Sequence, residues 1–245
     1  MQLTFLGTSN AWGSKNRFSS SALLRVGGVP YLIDAGAPIV RLLLSYDLPL
    51  DGLGGIFITH NHVDHYVGLI ELLNQVNFRK NVFPKIDYSI YVPEYAPYAH
   101  ILKLLKGEVE ESILPIREYV AGPIFDDGNI RVTACKTEHC RLSYGFLVEG
   151  EGKRVYFSGD TAKNFTDYPA FLSETGADVT VVEAGHTRLN TSEAISVLGK
   201  TKTGHMIFNH YAEELNPPAV IEEFRQTMTE RFRVTLACDG DTFEI

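Results

Sequence analysis

The chain has 245 residues, of which 44% are hydrophobic and 21% are charged, and its formal net charge is −8 at pH 7. This is the composition of a globular protein that is long enough to bury a substantial core. The acidic balance argues against stable nucleic-acid binding, which depends on neutralisation of phosphates by Lys and Arg. The sequence has no run of about 18 apolar residues, so we expect neither a membrane span nor a membrane partner.

Cysteine usage and the first residues bear on the cellular compartment. Cys135, Cys140 and Cys238 form an odd set without CxxC spacing. This pattern disfavours a disulfide framework and favours a reducing environment. The first residues include the strand-like segment Gln2–Leu6. A secretory signal peptide would instead begin with a basic stretch followed by an apolar one. We therefore expect a cytoplasmic protein.

Strand-length apolar runs dominate the first third of the chain, and helical and strand patterns alternate after it. The first third is predicted to contain strands at Leu3–Leu6, Ser20–Val26, Pro30–Asp34 and Gly54–Thr59, and a helix at Ile39–Tyr46. The middle is predicted to contain helices from Tyr66 and at Glu94–Lys106, and strands at Ile113–Ile116, Ile130–Cys135, Tyr144–Glu149 and Arg154–Ser158. The last third is predicted to contain strands at Val179–Glu183, Met206–Asn209 and Arg233–Ala237, and helices at Ser192–Leu198 and Pro218–Arg231. This order predicts one α/β domain over residues 1–245, with two mixed sheets covered by helices.

The hexapeptide HNHVDH at residues 60–65 concentrates four metal-binding side chains directly after an apolar strand. Alternation along an extended segment turns His60 and His62 to the same side, so their imidazoles converge. If a helix begins just after the hexapeptide, Asp64 and His65 point from the turn toward a second position nearby. One short segment could therefore offer a His pair to one cation and an Asp/His pair to another, as a two-metal hydrolytic site requires.

Further metal-binding side chains follow three other predicted strands. His139, Asp160 and His210 each lie just beyond a strand's C-terminal end. Because such ends can gather on one edge of a mixed sheet, we expect the three to join the hexapeptide. Asp34 also ends a strand, where it either orients a ligand histidine or caps the following turn.

The complete set resembles the signature of metallo-β-lactamase-fold hydrolases, which is HxHxDH followed by a separate His, Asp and His. The match runs in order through His60, His62, Asp64, His65, His139, Asp160 and His210. The segments Phe5–Thr8 and Leu32–Gly36 also resemble the opening strands of that family, so the resemblance spans the chain. It implies an α/β fold in the form of a four-layer αββα sandwich, with two mixed β-sheets flanked by helices.

The resemblance also implies how the ligands divide between two divalent ions. The implied first ion is bound by His60, His62 and His139, the second by Asp64, His65 and His210, and Asp160 bridges the two. Zinc is the expected metal because it suits imidazole ligands, while manganese and iron also fit a site with several carboxylates. A hydroxide between the two ions is the expected nucleophile.

Catalytic roles are assigned to Asp64, within the metal set, and to His186. The segments Phe5–Thr8 and Glu183–Thr187 resemble the phosphodiesterase and ribonuclease Z-like branch, in which an additional His assists the phosphate or the leaving group. His186 is our candidate for that role, as a proton donor or an oxyanion stabiliser. The alternative for His186 is an ordinary loop residue after a strand.

The interval of 21 residues from His139 to Asp160 limits which substrates are expected. A single hairpin around Gly150 fills that interval, which leaves no room for the long arm with which tRNA 3′-processing relatives clamp tRNA. Asp160 also stands where zinc β-lactamases carry a Cys ligand, which disfavours antibiotic hydrolysis. We therefore predict a phosphodiesterase for a small or nucleotide-type phosphodiester, and relatives acting on cyclic phosphates have similar chain length and ligand spacing.

Several alternatives stay open from the sequence. One is a carboxyl-ester, thioester or lactone hydrolase on the same centre, because the fold supports many chemistries. Another is a tRNA 3′-processing endonuclease. A non-enzymatic metal-binding scaffold is a third, which the loss of a ligand would favour, and none of the seven is lost. The expected partner is a small-molecule or short-nucleotide substrate, and a homodimer is compatible with the sequence.

Overall fold

Two mixed β-sheets lie face to face in the computed structural model, which describes residues 1–78, 82, 86–106 and 113–245. Within that part of the chain each sheet has seven strands. In spatial order the first sheet contains β14 (Thr242–Glu244), β1 (Gln2–Gly7), β2 (Ser21–Val26), β3 (Val29–Ile33), β4 (Gly55–Phe57), β5 (Ile90–Val92) and β6 (Ile116–Glu118). The second contains β13 (Arg233–Leu236), β12 (Thr203–Asn209), β11 (Ala177–Glu183), β10 (Lys153–Phe157), β9 (Ser143–Gly150), β8 (Arg131–Thr137) and β7 (Gly122–Asp126).

Helices cover the outer face of each sheet. The described helices are α1 (Ile39–Ser45), α2 (Val63–Tyr66), α3 (Gly68–Phe78), α4 (Ala96–Lys106), α5 (Phe171–Glu174), α6 (Ser192–Leu198) and α7 (Pro218–Met228), with a short 3-10 helix at Lys163–Phe165. Among these described helices, none combines the length and the apolar character that a membrane crossing requires. The predicted four-layer αββα sandwich is confirmed.

The core between the sheets is built from apolar side chains that alternate along the strands. Phe5 and Leu24 of the first sheet pack in one cluster with Phe146, Val155 and Val181 of the second. All five are buried, because the two inner faces interdigitate as they do in other sheet-on-sheet packings. This layer fixes the two sheets relative to each other.

Separate apolar clusters attach the helices to the outer faces. On the first sheet, Leu43 of α1 and Leu72 of α3 pack in one cluster with Ile56 of β4. On the second sheet, Phe224 of α7 packs with Phe208 of β12, at a ring-centroid distance of 5.2 Å. Each outer face therefore has its own core, and the helices leave the ends of the strands free.

Parallel pairing gathers several strand ends at one edge of the second sheet. β10, β11 and β12 are mutually parallel, so the residues that follow them emerge on the same side. The first sheet joins this edge where the Thr59 carbonyl accepts a hydrogen bond from the backbone N–H of Tyr144, at 3.1 Å. The edge therefore collects loops from both sheets.

The predicted elements agree with the observed ones in most places, with boundaries that differ by up to three residues. The predicted helix start at Tyr66 is wrong: α2 begins at Val63, directly after the extended His62. Asp64 and His65 therefore lie in a helical turn instead of preceding it. The predicted strand Ile113–Ile116 is also wrong in position, since β6 begins at Ile116, where it pairs with Ile90 of β5.

Three strands were not anticipated from the sequence, namely β5, β7 and β14. Two of them have three residues each, and β7 and β14 are edge strands with one neighbour. Such segments carry little alternation of their own, and they become strands because a distant strand supplies their hydrogen bonds.

The packing between the two sheets leads us to expect a large loss of stability when a buried ring is removed from it. Phe146→Ala should reduce the free energy of unfolding by about 3–5 kcal/mol, because it leaves a cavity where a fully buried ring contacts both sheets. The matched control is Phe78→Ala at the end of α3, where the ring is 58% exposed. The control should change the free energy by about 0.5 kcal/mol or less. Denaturant unfolding of both variants measures the difference, and equal losses would contradict the assignment of the core.

Candidate metal centre

Asp160 lies at the middle of the gathered loops and is almost completely buried. Its Oδ2 lies 3.6 Å from His60 Nε2 and 3.5 Å from His139 Nε2. Its Oδ1 lies 3.4 Å from His65 Nε2 and 3.6 Å from His210 Nε2. Each oxygen of one carboxylate therefore faces a different pair of imidazoles.

The first group of metal-binding side chains contains His60, His62, His139 and Asp160, whose ligand-type atoms lie within 4.8 Å of one another. His60 leaves the end of β4 and is fully buried, whereas His62 is exposed. His139 follows β8, and its Nε2 lies 3.0 Å from His62 Nδ1. The Lys136 ammonium donates to the carbonyls that follow His139 and so fixes this loop.

The second group contains Asp64, His65 and His210, again with ligand-type atoms within 4.8 Å of one another. All three are buried. The turn of α2 directs Asp64 and His65 inward, and Asp64 Oδ2 lies 3.0 Å from His210 Nε2 and 3.4 Å from His65 Nε2. His210 follows β12 with a φ of 48°, a left-handed conformation that is uncommon outside glycine.

The His210 ring needs the space that Gly185 provides. A Cβ atom at position 185 would lie 2.5 Å from His210 Nδ1, which is closer than real contacts allow. A side chain at this position would therefore push the His210 ring away from Asp64.

A hydrogen-bond network behind the two groups orients their histidines. Asp34 adopts a φ of 59° and turns its carboxylate inward, where Oδ2 lies 2.8 Å from His65 Nδ1. Thr59 donates to the same carboxylate from its backbone N–H and its hydroxyl. The Thr59 hydroxyl also lies 3.1 Å from His60 Nδ1. Of the two roles that the sequence left open for Asp34, the contact with a candidate ligand histidine is observed, and the carboxylate lies where it can fix the orientation of the His65 ring.

His186 borders both groups at the opening of the centre. Its ring lies 4.6 Å from the His139 ring and 5.4 Å from the His210 ring, and its side chain is 36% exposed. Its Nδ1 lies 3.3 Å from Oε1 of the buried Glu183 and 3.8 Å from Asp160 Oδ2. The hydrogen bond with Glu183 raises the pKa of His186 to about 9.

Glu183 is itself held from several directions. Its Oε2 accepts hydrogen bonds from the backbone N–H groups of Gly185 and His186, at 2.6 and 2.9 Å. Its Oε1 accepts from the Thr161 hydroxyl at 2.9 Å. The carboxylate is therefore fixed, and it fixes the Nδ1 side of the His186 ring.

Four nitrogen and oxygen atoms of the candidate ligands are buried and have no hydrogen-bond partner among the described residues. One is His210 Nδ1, on the side of its ring next to Gly185. The other three lie at the Asp160 carboxylate and are His60 Nε2, His65 Nε2 and Asp160 Oδ1. Leaving such atoms unsatisfied is costly, and cations coordinated by imidazole and carboxylate would satisfy the three atoms at the Asp160 carboxylate. The residues present therefore fit the two divalent ions that the fold implies.

Protonation in the centre is governed by its opposite charges. Burial disfavours ionisation of Asp160, but the surrounding His210, His65 and His60 hold its pKa well below the usual range. Burial and the nearby His65 lower the pKa of His60, which keeps its imidazole in the neutral form that binds metal. Burial opposes charge on His65 as well, yet Asp160 and Asp34 raise its pKa well above the usual value. The carboxylates of Asp160 and Asp34 thus favour a positive charge at His65, either a proton on the ring or a cation bound beside it.

The structure brings together every residue that the sequence placed in the site. The seven candidate ligands and His186 converge, with His186 at the rim. Thr59, Glu183 and Gly185 were not recognised as contributors. Glu183 carries a signal that could have been used, since it is an acidic side chain that directly follows two valines at the end of a strand. Thr59 and Gly185 act through contacts that only the folded chain creates.

Comparisons with known proteins agree with this geometry. The family model described as "Anti-Pycsar protein Apyc1" matches residues 1–233. A ribonuclease Z from Methanocaldococcus jannaschii is 32% identical over 249 residues, which cover 100% of this chain and 68% of that protein. A ribonuclease Z from Methanothermobacter thermautotrophicus is 31% identical over 164 residues, which cover 66% of this chain and 52% of that protein. This chain thus spans about half the length of several curated relatives that it matches.

Among solved structures, the metallo-β-lactamase fold protein YhfI from Bacillus subtilis superposes with a TM-score of 0.76 and 20% identity, covering 99% of both chains. Fold and sequence likeness together place the chain among proteins of the metallo-β-lactamase fold, in the ribonuclease Z-like branch, and its clustered histidines and aspartates could hold metal ions. Within that class, the chain belongs to the Anti-Pycsar protein Apyc1 family.

The orientation network predicts how metal binding responds to a change at Asp34. Asp34→Asn should weaken zinc binding by about 10- to 100-fold, because the amide no longer presents a charged acceptor to the ring nitrogen of His65. Competition with a chromogenic chelator measures the affinity. Asp126→Asn, at an exposed carboxylate paired with Arg131, is the matched control and should bind zinc as the wild type does. Unchanged affinity in Asp34→Asn would refute the orienting role.

Proposed function

We propose that this protein is a dinuclear-metal phosphodiesterase that acts on a small or nucleotide-type phosphodiester. The observation that carries the proposal is the placement of Asp160, whose two oxygens face two separate groups of ligand-type atoms. In this proposal one ion is held by His60, His62 and His139, the other by Asp64, His65 and His210, and both by Asp160. Zinc is the proposed metal, because imidazoles supply most of the ligands.

The chemistry of the bound ions and that of the protein are complementary. Two divalent ions lower the pKa of water and neutralise charge that develops on a phosphoryl oxygen. Asp64 turns its Oδ2 toward His65 and His210. We assign to its carboxylate the task of holding the attacking water and accepting a proton from it. Asp64 thus acts as a ligand and as a base.

His186 is assigned to the leaving group. Its Nδ1 faces Glu183, so its Nε2 lies on the opposite side of the ring. The ring is partly exposed beside His139 and His210, where a phosphodiester entering the centre would meet it. We therefore propose that His186 donates a proton to the departing oxygen from Nε2, with Glu183 as its positioning residue.

The size of the substrate is inferred from the chain between His139 and Asp160. β9 and β10 occupy this interval as a hairpin with a tight turn at Glu151 and Gly152, so it provides no extended arm for a large nucleic acid. The net charge of −8 likewise disfavours an extended polyanion. Both observations support a small phosphodiester. The free thiols of Cys135, Cys140 and Cys238 support a reducing cytoplasm as the site of action.

A second candidate function is tRNA 3′ processing. The observation that favours it is the 32% identity to the Methanocaldococcus jannaschii ribonuclease Z along the whole of this chain. A carboxyl-ester, thioester or lactone substrate is a third candidate, since the same centre can polarise a carbonyl oxygen.

A substrate panel separates these functions. The zinc-loaded protein is assayed with bis(p-nitrophenyl) phosphate, a thioester, a lactone and a precursor tRNA. We expect cleavage of the phosphodiester and no detectable cleavage of the carbonyl compounds or the tRNA. Asp160→Ala is the inactive control, because it removes both oxygens that link the two groups. Cleavage confined to the carbonyl compounds, or to the tRNA, would overturn the proposal.

The role of His186 gives a separate prediction. His186→Ala should lower kcat by about 10²- to 10⁴-fold, the usual contribution of a positioned proton donor, while zinc content stays that of the wild type. Glu183→Gln should also lower kcat, because the ring loses its charged partner. The control is His100→Ala, on the exposed side of α4, which should leave both quantities unchanged. A loss of zinc that parallels the loss of kcat would instead make His186 a metal ligand.

A further inference from the structure

Asp167 lies in the loop that follows the candidate ligand Asp160, just beyond the short 3-10 helix. It is not itself one of the grouped candidate ligands. One oxygen of its carboxylate, Oδ2, accepts hydrogen bonds from two backbone N–H groups. The Glu138 N–H donates at 2.7 Å and the Ala162 N–H donates at 3.0 Å. A single carboxylate oxygen therefore joins two separate segments of the backbone.

Both of these segments carry candidate metal ligands. Glu138 directly precedes His139, and Ala162 is two residues after Asp160. The strands before them, β8 and β10, lie on opposite sides of β9, so no ladder hydrogen bond joins the two loops. His139 Nε2 nevertheless lies only 3.5 Å from Asp160 Oδ2. Asp167 supplies a link between the two loops that the sheet does not provide.

The backbone that presents Asp167 is held in an uncommon conformation. Asn164 and Phe165 have φ values of 60° and 57°, which are left-handed and unfavourable for a bulky side chain. The Asn164 N–H donates to the Thr187 hydroxyl at 2.8 Å. The Phe165 ring is fully buried in the apolar cluster that also contains Phe208. These contacts fix the loop, so the carboxylate starts from a defined point.

Burial adds a second cost at the same residue. Asp167 Oδ1 is buried and has no hydrogen-bond partner among the described residues. Such an oxygen is unfavourable in a folded protein and calls for a compensating gain. The gain at Asp167 is the pair of hydrogen bonds to the ligand loops.

We propose that Asp167 is a positioning residue, which fixes His139 relative to Asp160 and so shapes the binding site of one ion. This inference rests on the two-ion centre of the proposed function and does not depend on its substrate. Lys136 holds the carbonyls after His139, and Asp167 holds the N–H group before it. Asp34 is the corresponding carboxylate for the other group, through His65. Each ion then depends on its own positioning carboxylate.

Zinc binding tests the selectivity of this role. In a competition titration with a chromogenic chelator, Asp167→Ala should bind one of two zinc equivalents about tenfold or more weakly, and the other within about twofold of the wild type. Asp167→Asn keeps an oxygen that can accept both bonds and should recover most of the lost affinity. Unchanged affinity in Asp167→Ala, or equal weakening of both equivalents, would overturn the inference.

The matched control is Asp126→Ala, in the turn between β7 and β8. Asp126 also accepts a hydrogen bond from a backbone N–H, that of Gly128, at 3.0 Å. It lies at the opposite end of β8 from His139. The control should therefore bind both zinc equivalents as the wild type does.

Hydrogen exchange tests the same contact without metal. In the metal-free protein, the amide protons of Glu138 and Ala162 should exchange about tenfold faster in Asp167→Ala, because each loses a hydrogen bond to a charged acceptor. Amide protons within β9 and β10 should keep their wild-type rates. NMR resolves these amides individually. Unchanged exchange at both positions, or faster exchange throughout the second sheet, would overturn the positioning role.

The readouts separate this inference from the phosphodiesterase activity. Selective loss of one zinc equivalent in Asp167→Ala, from a protein whose wild type cleaves no phosphodiester, would support the positioning role and contradict the phosphodiesterase. Cleavage by the wild type with unchanged zinc binding in Asp167→Ala would do the opposite.

Discussion

The buried carboxylate of Asp160 is the constraint around which this molecule is arranged. A carboxylate nearly free of solvent is costly unless positive charge or hydrogen-bond donors surround it. Five imidazoles meet that requirement here, three of them facing Oδ2 and two facing Oδ1. These imidazoles repel one another when protonated, so they cannot all carry a proton at once. Divalent cations would resolve the conflict, because they bind neutral imidazoles and ionised carboxylates together.

The architecture follows from the need to deliver these side chains to one place. Short loops at the ends of β4, β8, β10, β11 and β12 carry almost the whole centre, while α2 contributes Asp64 and His65. The apolar layers hold the strands in register, so that the loops start from fixed points. Local strain is accepted where it serves this end, as in the left-handed backbone of Asp34 and His210. Rigid sheets thus support a site made of loops.

Behind the candidate metal ligands lies a set of residues that hold those ligands in position. Asp34 and Thr59 orient one side of the centre, and Glu183 orients the other. In each case a buried or paired charge fixes the residue that makes the functional contact, as pre-organised sites require.

The amino-acid sequence by itself indicated the class of the protein, through its resemblance to a known family, and the side chains that are candidates for metal binding. The hexapeptide at residues 60–65, with His139, Asp160 and His210 after later strands, was enough to name these candidates. The reason is that side-chain alternation and the ends of strands are local properties, which the sequence shows without the fold. Most helices and strands were also predictable from periodicity, but β5, β7 and β14 were not, since their hydrogen bonds come from distant strands. Tertiary structure alone decided that each oxygen of Asp160 faces its own group of histidines and that Gly185 makes room for His210. The physical reason is that these contacts join residues far apart in the chain, and only the packing of the two sheets fixes their distances.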